Sequence, residues 1–106
     1  MVLSFFEPSA MVTGMIGAAR ADEYLPRLIQ GLEPFAATMH SITNQYVVVE
    51  GDLARVWSYC TAHHVFKEEG RPHRVATLIY KDELKRTPSG WLITARTSDH
   101  LWRDGW

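Results

Sequence analysis

Between His40 and Arg96 the chain consists almost entirely of residues that favour extended backbone, interrupted by two tight turns and one charged loop. The stretch from His40 to Val49 passes through Glu50-Gly51-Asp52 into a second stretch from Leu53 to about Phe66. A third, Val75 to Arg86, passes through Thr87-Pro88-Ser89-Gly90 into a fourth, Trp91 to Thr97. β-Branched and aromatic side chains suit a pleated, half-buried surface, and turn residues between such runs give hairpins. Two consecutive hairpins joined by the loop Lys67 to Arg74 predict one long antiparallel sheet.

The first third supplies what the sheet packs against. Residues 1–7 are mostly apolar and suit the last turn of a helix or an extended arm, and Pro8 sets a break before the strand-like AMVTGMI. Asp22 is a candidate cap for a helix near residues 22–33, in which Leu25, Leu28, Ile29 and Leu32 recur at helical spacing. Pro26 is tolerable near the first turn, and Gly31 and Pro34 end the helix. One or two helices beside a consecutively paired sheet predict an α+β fold: a curved antiparallel sheet wrapped into an open cone whose inside is a pocket. With 106 residues there is room for one domain, 1–106, in which the tail SDHLWRDGW packs back on the sheet.

Charge narrows the partners. The formal net charge is -1 and Lys and Arg form no stripe, which argues against nucleic acid and against an anionic membrane surface. No stretch reaches the roughly 18–20 apolar residues of a bilayer span, and MVLSFFEPSAMVTGM lacks the pattern of an export signal. Cys60 is the only cysteine, which suits a reducing cytoplasm. The expected partner is a hydrophobic small molecule. An apolar N-terminal arm and a Trp57/Tyr59 face would leave hydrophobic surface that a homodimer covers.

The chemistry concentrates in histidines. His40 opens the first long strand, and His63-His64 ends the strand hairpinned to it. Counting outward from the turn, position 40 pairs near positions 61–63, which brings His40 close to His63. Alternation sends His63 and His64 to opposite faces. With Arg55 in solvent, period-two counting leaves Val56, Ser58, Cys60, Ala62 and His64 inside; one bulge would reverse this in favour of His63. Tyr80 shares a face with Asp82 on the third strand, and Arg96 stands to pair with Asp82 or Asp99 or to receive an anionic group at the pocket mouth. Two histidines fall short of the ligands a metal needs, so none is expected.

At His40-Ser41-Ile42-Thr43-Asn44, Glu50-Gly51-Asp52, Ala54, Ser58-Tyr59, His63-His64, Tyr80-Lys81-Asp82, Gly90-Trp91 and Arg96, the chain resembles the SnoaL-like family. That family belongs to the nuclear transport factor 2-like superfamily of cone-shaped α+β domains, which includes scytalone dehydratase, ketosteroid isomerase and polyketide cyclases. The resemblance spans about residues 3–104 and lacks the usual N-terminal lid helix, the chain starting at the equivalent of Leu3-Ser4-Phe5-Phe6-Glu7-Pro8. It implies His40 and His63 as the catalytic pair, His64 remaining the rival, with Tyr80, Asn44, His64 and Arg96 as substrate-binding residues. The implied activity is a cofactor-independent isomerase, dehydratase or cyclase acting on a hydrophobic cyclic or polyketide-like substrate; the alternative is a non-catalytic ligand-binding or dimeric assembly module.

Overall fold

The computed structural model of the protein describes residues 2–105; Met1 and Trp106, the ends of the expected 1–106 domain, lie outside the described residues. After a short 3-10 turn over Val2–Phe5 come β1 (Phe6–Gly14), β2 (Gly17–Arg20), α1 (Ala21–Gln30), β3 (Phe35–Glu50), β4 (Leu53–Phe66), β5 (Arg74–Thr87) and β6 (Gly90–Asp104). The six strands form one sheet in the order β2-β1-β6-β5-β4-β3. Both expected hairpins are present and antiparallel, Gly51 and Gly90 turning them with φ of 61° and 119°, values that cost glycine little. The fold is the expected curved α+β sheet with one helix, left open rather than closed into a barrel.

The sheet is mixed. β1 runs parallel to β6, with Met11 opposite Ala95 and Thr13 opposite Thr97. Reading neighbouring segments as hairpins cannot reveal this pair, because nearly the whole chain separates its two members. Pro8 lies inside β1, within the register shift between Phe6 and Met11, where a missing N–H costs no ladder bond. α1 starts at Ala21, so Asp22 is not its cap; its carboxylate sits in the first turn, where the helix dipole favours it, and accepts two hydrogen bonds from Arg20 at 3.1 and 2.9 Å.

Two apolar clusters form and do not merge. Under the helix, Tyr24 and Leu25 bury against Phe6, Ala10, Val12 and Ile93. Farther along the same face, on β4 and β5, Cys60, Ala62, Ala76 and Leu78 form a second cluster of smaller side chains. α1 packs on β1 and β2 and stands away from β3, β4 and β5. β3 is the sheet's edge on that side and is exposed along most of its length.

Extra residues in β3 and β6 set which side chains look inward. In β3, Thr43 lies opposite Tyr59 and Tyr46 opposite Trp57, so Asn44 and Gln45 together face Ser58, and Asn44 takes a φ of 50°. In β6, His100 lies opposite Leu78 and Trp102 opposite Thr77, which leaves Leu101 as the extra residue. Strand β6 stays paired with β5 to Asp104, well beyond the expected end at Thr97.

Candidate active site

Curvature of β3 to β6 and the offset of the helix enclose a chamber of about 790 Å³, roofed by Leu25 and Leu28 of α1 and by Leu32 in the turn after it. Its walls are mainly apolar, with polar groups at a few points, as expected of a site for a small organic molecule. The inward row of β4 runs Val56, Ser58, Ala62 and His64, with Cys60 buried in the same row. Each step is two residues, and β4 meets β5 without a register shift from Leu53 to His64.

His40 enters the chamber from β3 and His64 from β4. Their rings stand 6.1 Å apart between centroids, edge to face at 65°. Phe35 packs on His64 with centroids 4.9 Å apart and on Phe66 at 4.8 Å, which fixes the position of the His64 ring. Burial lowers the pKa of both imidazoles below the ordinary value, with Arg96 adding to the effect at His40 and His40 adding to it at His64. At pH 7 both rings are predominantly neutral, so each has one nitrogen able to accept a proton and one able to donate.

Tyr80 stands in the same chamber from β5. Burial pushes its phenol up to about 12, and the charge and hydrogen bond of the neighbouring Cys60 thiol work in the same direction. It is thus a hydroxyl donor across the physiological pH range. Beside it, Arg96 donates two hydrogen bonds to Asp82, Nε to Oδ1 at 2.7 Å and Nη2 to Oδ2 at 2.8 Å, and its guanidinium lies 4.1 Å from the centre of the Tyr80 ring. Asp82 is buried, so this pair keeps a cation and an anion together where neither is stable alone. Arg96 thus pairs with Asp82, while Asp99 meets Lys81 at 3.2 Å.

Two expected site residues lie elsewhere. His63 sits opposite Met39 and Val75 on the face turned away from the chamber, because β4 alternates without interruption and only the even-numbered histidine can point inward. Asn44 occupies the positive-φ position of the β3 bulge and does not line the chamber; Gln45 does, donating from Nε2 to the Ser58 hydroxyl at 3.1 Å. The bulge that could reverse facing is in β3 rather than β4. His100 enters from β6, although in sequence the segment carrying it reads as a short packing tail. A long β6 is its only sequence signal, in the alternation of Thr97, Asp99 and Leu101 with Ser98 and His100.

Residues 6–97 match the SnoaL-like domain family. A search among curated proteins found no match. Among solved structures, a scytalone dehydratase candidate from Novosphingobium aromaticivorans superposes with a TM-score of 0.87 at 22% identity, over 99% of this chain and 72% of that one. A type 2 hexachlorocyclohexane dehydrochlorinase gives a TM-score of 0.82 at 19% identity, over 97% and 72% of the two chains. A protein with a cystatin-like fold from Nostoc punctiforme gives 0.73 at 23% identity, over 92% and 72%. At these identities the likeness establishes a shared fold.

Proposed function

The chain belongs to the SnoaL-like domain family, and from that premise we propose that it is a cofactor-independent enzyme of the dehydratase or isomerase type, using His40 and His64 to move a proton on a hydrophobic cyclic ketone. The observation that carries this reading is the pair of neutral imidazoles, 6.1 Å apart, in an apolar chamber that also holds a protonated phenol. Solved structures of a scytalone dehydratase candidate and a dehydrochlorinase, both named for elimination chemistry, share the fold and agree with it.

For a β-hydroxy ketone the steps balance without a cofactor. One neutral imidazole takes the proton from the carbon beside the carbonyl, and the electron pair left behind moves to the carbonyl oxygen as an enolate. Tyr80 donates a hydrogen bond to that oxygen as its charge grows. The enolate then collapses, the new C=C bond forms and the C–O bond to the hydroxyl breaks. The imidazolium returns its proton to the departing oxygen, which leaves as water, and both histidines end neutral. In an isomerisation the same proton would return to a different carbon. Arg96, held by Asp82, stacks against the Tyr80 ring and so positions the donor.

The test uses hydroxylated dihydronaphthalenones, whose dehydration to an aromatic ring is followed by absorbance. Turnover by the wild-type chain, reduced by about 10²–10⁴ in both His40→Ala and His64→Ala, is the expected result. Equal rates for wild type and both variants would overturn it.

A second reading rests on the exposure of β3, which leaves the chamber wall carrying His40 uncovered on its outer side. On this reading the domain binds a neutral hydrophobic molecule without turning it over. In either case we propose a homodimer in the cytoplasm, built through the sheet face turned away from the chamber, where Met39, Tyr46, Trp57 and Trp102 remain 45–67% exposed. Among the described residues no helix is long and apolar enough to cross a membrane.

A further inference from the structure

His40 and His64 stand on one side of a hollow whose other side carries a third histidine. Across the sheet, His40 is in register with Ala62 and Ala76, while the next inward row runs Ile42, Cys60, Leu78 and His100. His40 and His100 thus rise from strands three apart, which is about 14 Å measured along a sheet, and curvature turns their side chains into the same chamber. Between them the floor is made of Cys60, Ala62 and Ala76, which are 1%, 4% and 2% exposed, with Leu78 the one larger side chain. Small residues at adjacent positions on two strands leave a depression that larger ones would fill, and the imidazoles stand above it on both sides.

From this arrangement we infer that His100 is a third substrate-contacting residue, and that the chamber takes an uncharged molecule with a polar group at each end, one end at His40 and His64 and a hydroxyl at the other, at His100. The inference rests on the proposed function, in that it assigns the second end of the same ligand, and it identifies Ala62 and Ala76 as the residues that set how deeply that ligand descends. The His100 ring is hydrogen-bonded to the backbone of Ser98, which orients it. Burial favours its neutral form, and with the ring N–H given to the Ser98 carbonyl the other nitrogen is left to accept a hydrogen bond from a hydroxyl. An apolar centre flanked by hydrogen-bonding groups at two ends distinguishes a ring with two polar ends from one with a single polar end, because the unmatched imidazole would lose its water and gain no partner.

The experiment compares 2-naphthol, with one hydroxyl, and 2,6-dihydroxynaphthalene, with one at each end, by fluorescence titration of the intact chain. The wild type is expected to bind the diol about tenfold more tightly, the value of one net hydrogen bond. In His100→Phe the two probes should bind with nearly equal affinity, and His100→Asn should recover part of the preference. Ala76→Val should weaken both probes together, by about tenfold, through loss of depth rather than loss of a partner. Equal binding of the two probes by the wild type, or a preference that survives in His100→Phe, would overturn the inference. Loss of ketone turnover in His40→Ala and His64→Ala is measured separately, so failure of the His100 assignment is distinguishable from failure of the proton-transfer reading.

Discussion

The guanidinium of Arg96 meets both carboxylate oxygens of Asp82, at 2.7 and 2.8 Å, on adjacent strands of the chamber wall. A fork-to-fork pair of this kind fixes two side chains at once, and its burial makes each member dependent on the other.

Removing one partner should therefore cost more than the pair is worth. Asp82→Ala leaves a largely buried guanidinium without its counter-charge and should lower unfolding free energy by about 3 kcal/mol. Replacing both, in Asp82→Leu with Arg96→Met, should cost less than the single change. Urea unfolding of the three variants checks the order.

Stability should fall as the solution is acidified through the histidine range. Burial holds the folded-state pKa of His40 and His64 below the ordinary imidazole value, so at intermediate pH the unfolded chain binds more protons than the folded one. Stability then rises with pH, is fully present above the unfolded value of about 6.5, and is lost as pH drops from there through the folded values. Urea midpoints measured between about pH 7.5 and about pH 5 should show a steeper loss for the wild type than for His64→Gln.

The β3 bulge needs a residue that tolerates positive φ. Asn44→Gly should be close to neutral, whereas Asn44→Val should cost about 1–3 kcal/mol, because a β-branched side chain is strained at a φ of 50°. If the bulge is abolished rather than strained, Gln45 and Val47 would leave the chamber together. Thermal denaturation of the two variants, with amide exchange along β3, separates these outcomes.

Self-association should depend on the outer face. Sedimentation at micromolar concentration is expected to give a species near twice 12.1 kDa, and Trp57→Glu combined with Met39→Glu should return it to the monomer. A wild-type chain that sediments only as a monomer would rule out the dimer.

The hairpins were legible because their turns are punctuated by Gly51 and Gly90 and their strands by β-branched residues. The inward row of β4 was legible too: counting by twos from Arg55 reaches His64, and nothing in β4 disturbs that count. The resemblance and an approximate register favour His63, but a strand offers no room for such approximation, since an error of one residue exchanges its faces. Asn44 and Leu101 were harder. Each is a single extra residue whose effect is to reset alternation beyond it, and only Asn44 carries a local hint, in the tolerance of asparagine for left-handed backbone. The parallel pairing of β1 with β6 had no local signal at all, and the extension of β6 past Thr97, which carries His100, rests on its pairing with β5 rather than on a turn or a β-branched run.

The exposed outer strand carries one further implication. A sixteen-residue edge with free N–H and C=O groups and side chains such as Met39, Ile42 and Val47 is a template on which other chains could build amyloid-like stacks. The kink at Asn44 interrupts that template near its middle, so a strand aligned with one half falls out of register with the other. The residue that turns Gln45 inward thus also guards the chain against aggregation.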